Sequence, residues 1–437
     1  MSKSKNKLQY EGMLEKAYIC ILLVIFGGIV LHAPISVGFG TLWPDYDLLI
    51  KSWKEILMAI AIVMAVVLLI RKRKISILRE PLILGVVAYV VLHLIITIFS
   101  QGQPANGLIS GLMIDLRYVS YFGLVYIAMR LFPQYRKTFV KVGVAGALVV
   151  MVFALLQVFV LPIDVLKYIG YNSNTIAPYL TVDQNSDFIR INSTLRGPNS
   201  LGAYSVMVIA GVMSWLAVKR KVLSKNLLIA LSVLSLGGVV SLWSSYSRSA
   251  LIAAGISAII VFYVKFSGKI NRKKLIIGLF TVLVLSASLF MFRDSSFVAN
   301  VILHDNPTTG AVINSNDGHI ESLKDGVNRL AVQPFGAGIG STGSASLFGE
   351  SPLIIENQYL FIAHEVGWLG LFIFCIILIA VFKRLWRQRS DWLALAVFAS
   401  GIGMLVINFL LPIWVDDTIS IVWWGLAAIV IGSKYSE

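Results

Sequence analysis

Twelve apolar runs, each about 17–25 residues long, recur along this chain, and that repetition restricts its fold more than any other feature. They lie near 17–37, 54–70, 81–99, 107–130, 139–160, 199–218, 226–243, 249–266, 275–292, 353–382, 392–411 and 416–433. A helix needs about 20 apolar residues to cross a hydrocarbon core of about 30 Å. In lipid the backbone must satisfy its own hydrogen bonds, which leaves helices or closed barrels. Runs this long, without strict alternation, call for helices. Residue usage agrees: 57% of the 437 residues are hydrophobic and 14% charged, against about 45–50% and about 25% in soluble domains. The expected architecture is all-α and polytopic, with about 12 transmembrane helices in one integral membrane domain, 1–437. The first run, Ala17–Leu31, has no small-residue cleavage pattern beyond it and is kept as a span. Cys20 and Cys375 both sit in apolar runs, which argues against a disulfide framework or a cysteine metal site.

The basic residues set the expected orientation. Clusters follow alternate runs: Arg71–Lys74, Arg136–Lys141, Lys219–Lys225, Lys265–Lys274 and Lys383–Arg389. With the N-terminal lysines, Arg79, Arg130 and Lys434, 27 of the 37 Lys and Arg residues fall on one side. The positive-inside rule makes that side cytoplasmic and puts both termini there. The formal net charge of +15 is thereby explained by topology, and nucleic acid is not expected as a partner; membrane lipids are. No internal repeat, heptad array or separate soluble domain is visible.

The opposite side carries two long loops, about 161–198 and 293–352, and most of the acidic residues. In the second loop Ile320, Leu323, Val327 and Leu330 follow helical spacing, with Glu321, Lys324, Asp325 and Asn328 on the other face. This describes an amphipathic helix at the interface, N-capped by Asp317 and stopped by Pro334. Gly338, Gly340 and Gly343 match G-x-G-x-x-G. Without a preceding strand and βαβ unit the dinucleotide reading fails, and a flexible return loop is expected instead.

Candidate chemistry gathers on that side. Arg190 and Arg196 flank a turn, Gly197-Pro198-Asn199-Ser200, that opens a span. A helix N-terminus there offers free N–H groups to an anion, and two guanidinium forks suit phosphate. Arg248 sits in a Ser-rich turn with almost no loop, where a charge needs a partner. Asp115 and Arg117 lie inside a span; ion pairing with each other or with another helix is the plainer reading, a wall of a substrate cavity the other. His319 begins the loop helix, well placed to meet a substrate. The run 353–382 carries Glu356, Asn357, Gln358, His364 and Glu365. A carboxylate at its outer end, partly withdrawn from water, is a better base near neutral pH. Asn357 and Gln358 are candidates to position hydroxyls. The five histidines are not at metal-ligand spacing, so no metal site and no cofactor is expected.

From about the fourth to the eleventh run, the chain resembles the O-antigen ligase and O-antigen polymerase (Wzy) superfamily of membrane glycosyltransferases. The most specific match is Glu356-Asn357, nine residues, then Gly367-Trp368-Leu369-Gly370; Glu356 stands where that family carries histidine. The segment from Arg190 to Gly197-Pro198-Asn199, the pair Ser247-Arg248, and Asn328–Gly340 with its P-x-G-x-G ending are further matches. Where ligases carry Arg-x-x-x-Trp, this chain has His319 and Leu323. The resemblance implies a glycosyltransferase-C-like fold. It implies a donor glycan on undecaprenyl pyrophosphate at the outer face of the bacterial plasma membrane, and no metal. By position, Arg248 with Arg190 or Arg196 would hold the pyrophosphate, Glu356 would activate the acceptor hydroxyl and His319 would replace the loop arginine. A carboxylate in place of the histidine points to a polysaccharide polymerase, with a chain-length regulator or flippase as partner. Ligase-type transfer is the alternative. A lipid or polysaccharide transporter is the rival of another class, and would show broken helices with polar groups near the midplane.

Overall fold

The computed structural model describes residues 2–100, 102–182, 185–219, 224–266 and 315–433, with the backbone alone for 2–11 and 315–322. The expected span at 275–292 and the first part of the long loop, to residue 314, lie outside the described residues. The described chain is almost wholly helical: α1 (Ser2–Gly28), α2 (His32–Leu42), α3 (Trp53–Arg71), α4 (Pro81–Phe99), α5 (Ala105–Leu131), α6 (Arg136–Phe159), α7 (Pro198–Val218), α8 (Lys225–Ser244), α9 (Arg248–Phe266), α10 (Ser315–Val332), α11 (Gln358–Arg387), α12 (Trp392–Asn408) and α13 (Asp417–Ser433). Among the described residues nine helical stretches are long and apolar enough to cross a membrane, and α12 and α13 are shorter apolar helices. The chain is thus a multi-pass α-helical membrane protein. The first expected span, 17–37, is longer than expected and runs on through α1 and α2 to Leu42.

Helix starts follow local chemistry. Pro81 and Pro198 stand in the first turns of α4 and α7, where a missing N–H costs nothing. Asn357 and Asp391 cap α11 and α12 with side-chain oxygens that accept from Leu360 N (3.0 Å) and Leu393 N (2.9 Å). Asp416 does the same for α13, accepting from Thr418 N and Ile419 N at 3.0 Å.

Two helices form the centre. α5 and α13 lie side by side and bury Tyr118, Tyr121, Phe122, Trp423 and Trp424, with Phe374 from α11 and Trp414 packed against them. Small residues let the backbones approach. A Cβ on Gly432 would stand 2.8 Å from Met129 Cβ and 3.0 Å from Tyr126 O. Beside this pair, α7, α9 and α12 pack on one another, with Gly403 set against Ala253 O and Gly202 against Ala250. α3, α4 and α8 turn large apolar side chains outward, among them Val63, Ile70, Ile98, Leu236 and Val239. Exposed apolar stripes of this extent suit a lipid surface.

The two ends differ. At one, short basic turns are tied by Arg130–Glu80 (2.8 Å) and Arg136–Asp391 (2.7 Å). At the other lie the long polar segments. There, 161–197 contributes the one strand pairing among the described residues, a hairpin of β1 (Leu180–Val182) and β2 (Asn185–Arg190) with Leu180 opposite Arg190.

Candidate functional site

The polar end brings together segments far apart in sequence. The hairpin delivers Arg190 to the junction of α7 and α9. Its Nε donates to Ser245 O at 2.8 Å and a terminal nitrogen to Asn199 Oδ1 at 2.7 Å. Ile191 N donates to Ser244 O at 3.2 Å, and Phe188 packs edge-on against Tyr246. The α8–α9 turn is as compact as its sequence suggests. Ser245, Ser247 and Ser249 are buried, and Tyr246 takes a left-handed φ of 47° to let Arg248 open α9 half-buried. Arg190 therefore clamps the first turn of α7 to the turn carrying Arg248. Arg196 is different: it is exposed, makes no hydrogen bond or ion pair to the described residues, and its charge acts on Lys54.

The start of α11 lies elsewhere than expected. The helix begins at Gln358, so Glu356 and Asn357 precede it rather than lying within it. Asn357 is fully engaged: Oδ1 caps the helix and Nδ2 donates to Phe409 O at 3.0 Å. Gln358 Oε1 accepts from Trp414 N at 3.2 Å, and its side chain is buried. These two residues hold the 409–414 turn rather than face an open surface. Glu356, half-buried, is the member of the trio nearest to solvent. The turn in turn reaches α7, where Ser200 Oγ donates to Asp416 Oδ2 at 2.6 Å. Glu356 and the arginine junction thus belong to one connected framework.

Beneath that framework is a buried ion network. Arg117 from α5 contacts Asp417 and donates through Nε to Glu55 at 2.8 Å. Lys54 Nζ stands 3.0 Å from Asp417 and 3.3 Å from Glu55, and His32 Nε2 stands 2.7 Å from Asp417. Trp53 Nε1 donates to His32 Nδ1 at 3.0 Å. Two full positive and two full negative charges from α3, α5 and α13 meet here. Arg117 is 6% exposed, so the structure puts it in an interhelical pair, not on a cavity wall open to substrate.

The glycine loop is the clearest departure from expectation. It is packed, not free. Gly336, Gly338, Gly340 and Gly343 all have positive φ, between 65° and 98°, a conformation that glycine alone adopts without strain. Four of its N–H groups bond to segments outside the loop. Ala337 N donates to His364 O (2.6 Å), Ile339 N to Ser100 Oγ (2.9 Å), Thr342 N to Glu365 Oε1 (3.3 Å) and Gly343 N to Leu353 O (2.8 Å). Gly340 sits so close to α5 that a Cβ on Gly111 would meet Gly340 N at 2.6 Å. The same loop fills a break in α11: Gly367 has φ 70° and ψ −173°, and Trp368 N donates to Pro334 O at 3.0 Å instead of continuing the helix ladder.

The loop helix α10 exists, and it is already helical at Ser315, before the expected cap Asp317. It rests on α11, with Gly326 against Leu360 and Leu330 O accepting from Trp368 Nε1 at 3.2 Å. Val327 is 56% exposed and does not share the packed face of Leu323 and Leu330. His319 lies on this helix, and its side chain is outside the described residues.

One buried group was not singled out as a site in the sequence. Glu365 is 1% exposed and accepts from Thr342 N at 3.3 Å. His93 Nε2 faces Asp115 Oδ2 at 3.9 Å. Ionisable residues in three separate spans were the available signal. Likewise Lys54-Glu55 at one span start and Asp416-Asp417 at another marked the ion network.

No protein-family model matches this chain, and no curated protein matches it significantly.

Proposed function

We propose that this protein is a membrane glycosyltransferase that polymerises lipid-linked oligosaccharide, with undecaprenyl pyrophosphate as the carrier and the polar end facing outward from a bacterial plasma membrane. The observation that carries the reading is the arginine junction: Arg190, Asn199 and the Ser245–Arg248 turn, distant in sequence, are joined by hydrogen bonds beside exposed Arg196. These are the segments that carry the family resemblance. The basic loops at the other end support the orientation.

In the proposed reaction the bond from the donor sugar's anomeric carbon to the pyrophosphate oxygen breaks, and a bond from that carbon to the acceptor oxygen forms. The pyrophosphate leaves with the electron pair, and Arg248 and Arg196 stabilise its growing charge. The Glu356 carboxylate takes the acceptor's proton. Arg190 holds the junction, and Asn357, Gln358 and Asn199 set its frame. His319 is the second candidate for contact with the acceptor. Ligase-type transfer to a different acceptor would use the same groups.

The test is chain length on a gel, using purified protein and lipid-linked repeat units. Glu356→Gln should lower the rate by about 10²–10⁴-fold, the usual cost of losing a general base, while donor binding persists. Full polymer length from both Glu356→Gln and Arg248→Ala would refute the reading. One observation favours a transporter as second reading: the break in α11 at Gly367 lies beside the buried carboxyl of Glu365. A transporter would move the labelled glycolipid across vesicles without lengthening it.

A further inference from the structure

We propose that the seam between α4 and α11 is a binding site for an anionic phospholipid, its headgroup held by Lys383 and Arg387 and its chains lying in the furrow beside them. The inference stands apart from the glycosyltransferase reading, and its test contains no sugar substrate.

The seam has a fixed register. A Cβ on Gly85 would stand 3.1 Å from Ile377 Cγ1, and one on Gly370 would stand 3.5 Å from Leu92 Cδ2. Between these contacts Tyr89 and Phe374 pack with ring centroids 6.0 Å apart. The two contacts are equally far apart on either helix, so α4 and α11 run antiparallel without slipping. Followed toward the basic end, the same register sets Arg79, just ahead of α4, level with Lys383.

Beside the seam both helices turn apolar stripes outward. Leu84, Ala88, Val91 and Ile95 are exposed on α4, and Leu369, Phe372, Ile376 and Ile379 on α11. Leu84, Val91, Leu369 and Ile376 each precede a contact residue by one position, a rotation of about 100° in the same sense along each chain. In antiparallel neighbours that rotation carries both stripes to one side of the seam. The α11 stripe then changes character. At the same helical spacing it continues into exposed Lys383 and Arg387. Counting 1.5 Å per residue, Ile376 lies about 10 Å and Leu369 about 21 Å from Lys383. A chain filling one leaflet, half of a core of about 30 Å, therefore reaches past Ile376.

The protein's own carboxylates do not neutralise these cations. Those described at the basic end are engaged elsewhere: Glu15 with Lys72 at 3.5 Å, Glu80 with Arg130 at 2.8 Å and Asp391 with Arg136 at 2.7 Å. Of the other basic residues that end α11, Arg384 donates to Ala380 O at 3.3 Å and Arg389 lies over the Trp386 ring at 4.5 Å. Arg79, Lys383 and Arg387 are exposed and make no ion pair or hydrogen bond among the described residues. Orientation in a membrane requires basic residues at this end, but not at the foot of an apolar stripe. A phosphodiester with two acyl chains and no cation of its own supplies what the seam lacks: a negative charge for the cations and apolar surface for the stripes. A zwitterionic headgroup brings its own cation and meets the same residues less well.

The test is native mass spectrometry of the full-length protein, titrated in detergent with phosphatidylglycerol and with phosphatidylcholine of the same chains. The first phosphatidylglycerol should bind at least about tenfold more tightly than phosphatidylcholine. Lys383→Ala with Arg387→Ala should weaken it about 30-fold, about fivefold for each basic residue, and leave phosphatidylcholine nearly unchanged. Lys137→Ala with Lys141→Ala removes the same charge from exposed positions on α6 and should leave phosphatidylglycerol binding nearly unchanged. Ala88→Trp fills the furrow and should weaken phosphatidylglycerol about tenfold or more, the loss expected from roughly 60 Å² of apolar contact. Unfolding midpoints without added lipid report whether each variant is folded. Equal affinity for the two lipids overturns the proposal. So does an equal loss from the two double variants, which would assign binding to diffuse charge. Unchanged binding in folded Ala88→Trp also overturns it, because the chains would then lie elsewhere.

Discussion

Asp115 and Arg117 stand two residues apart on α5, equally buried at 6% exposure, and the helix turns them to opposite faces. Arg117 enters a network in which every full charge has an opposite partner, Glu55, Asp417 and Lys54. Asp115 meets an imidazole just out of reach, His93 Nε2 at 3.9 Å, and its Oδ2 has no hydrogen-bond partner among the described residues. The compensated network resembles mortar: it joins α3, α5 and α13 and, through Asp416 and Ser200, the first turn of α7. A second buried carboxyl, Glu365, sits where α11 is broken and a loop is inserted. Burial alone does not separate a structural charge from a functional one; the sign and reach of its neighbours do.

The sharpest way to break the comparison is Arg117→Met. It strips the network of a cation and leaves Glu55 and Asp417 buried together, at a cost of about 3–5 kcal/mol. Thermal unfolding of the purified protein measures it, and an unshifted midpoint would mean that the network is not structural. Arg190→Ala comes next. Its hydrogen bonds, made by a charged donor, are worth about 1.5–3 kcal/mol, so stability and donor binding should fall together. Arg196→Ala should lower donor binding alone, because the exposed side chain supports nothing in the fold. Equal destabilisation by both changes would erase the distinction between clamp and contact. Asp115→Asn should change stability by about 1 kcal/mol or less, since the amide keeps the size of a side chain whose Oδ2 has no hydrogen bond to lose. A loss as large as that of Arg117→Met would place Asp115 with the mortar. Least affected is the exposed Asp47–Lys51 pair at 2.6 Å, where Asp47→Asn should cost about 0.5 kcal/mol or less.

Much of the fold was legible because hydrophobic length is a local property. The runs at 81–99, 199–218, 226–243 and 249–266 coincide with α4, α7, α8 and α9 to within two residues. Arg248 in a buried Ser turn was legible for the same reason: two adjacent spans leave no room for a loop. The start of α11 was not. Hydropathy places a helix to within a turn, whereas the cap at Asn357 depends on Tyr359 N and Leu360 N finding one side-chain oxygen. The glycine motif read as a free loop because spacing cannot show where its N–H groups go, and here they go to Ser100, His364 and Glu365.

By itself the sequence determined that this chain lies in a membrane as many helices, that its basic and polar ends differ, and that charged residues stand inside its spans. Those follow from the cost of moving each residue from water into lipid, which neighbours scarcely change. Only the tertiary structure decided what each buried charge meets. Arg190 could have faced Asp187 or a ligand, and it grips Asn199 and Ser245 O. Asp115 could have paired with Arg117, but Arg117 goes to Glu55 and Asp417, and Asp115 faces His93. A buried charge is governed by groups within a few ångströms, and in a helical bundle those groups come from other helices, tens or hundreds of residues away.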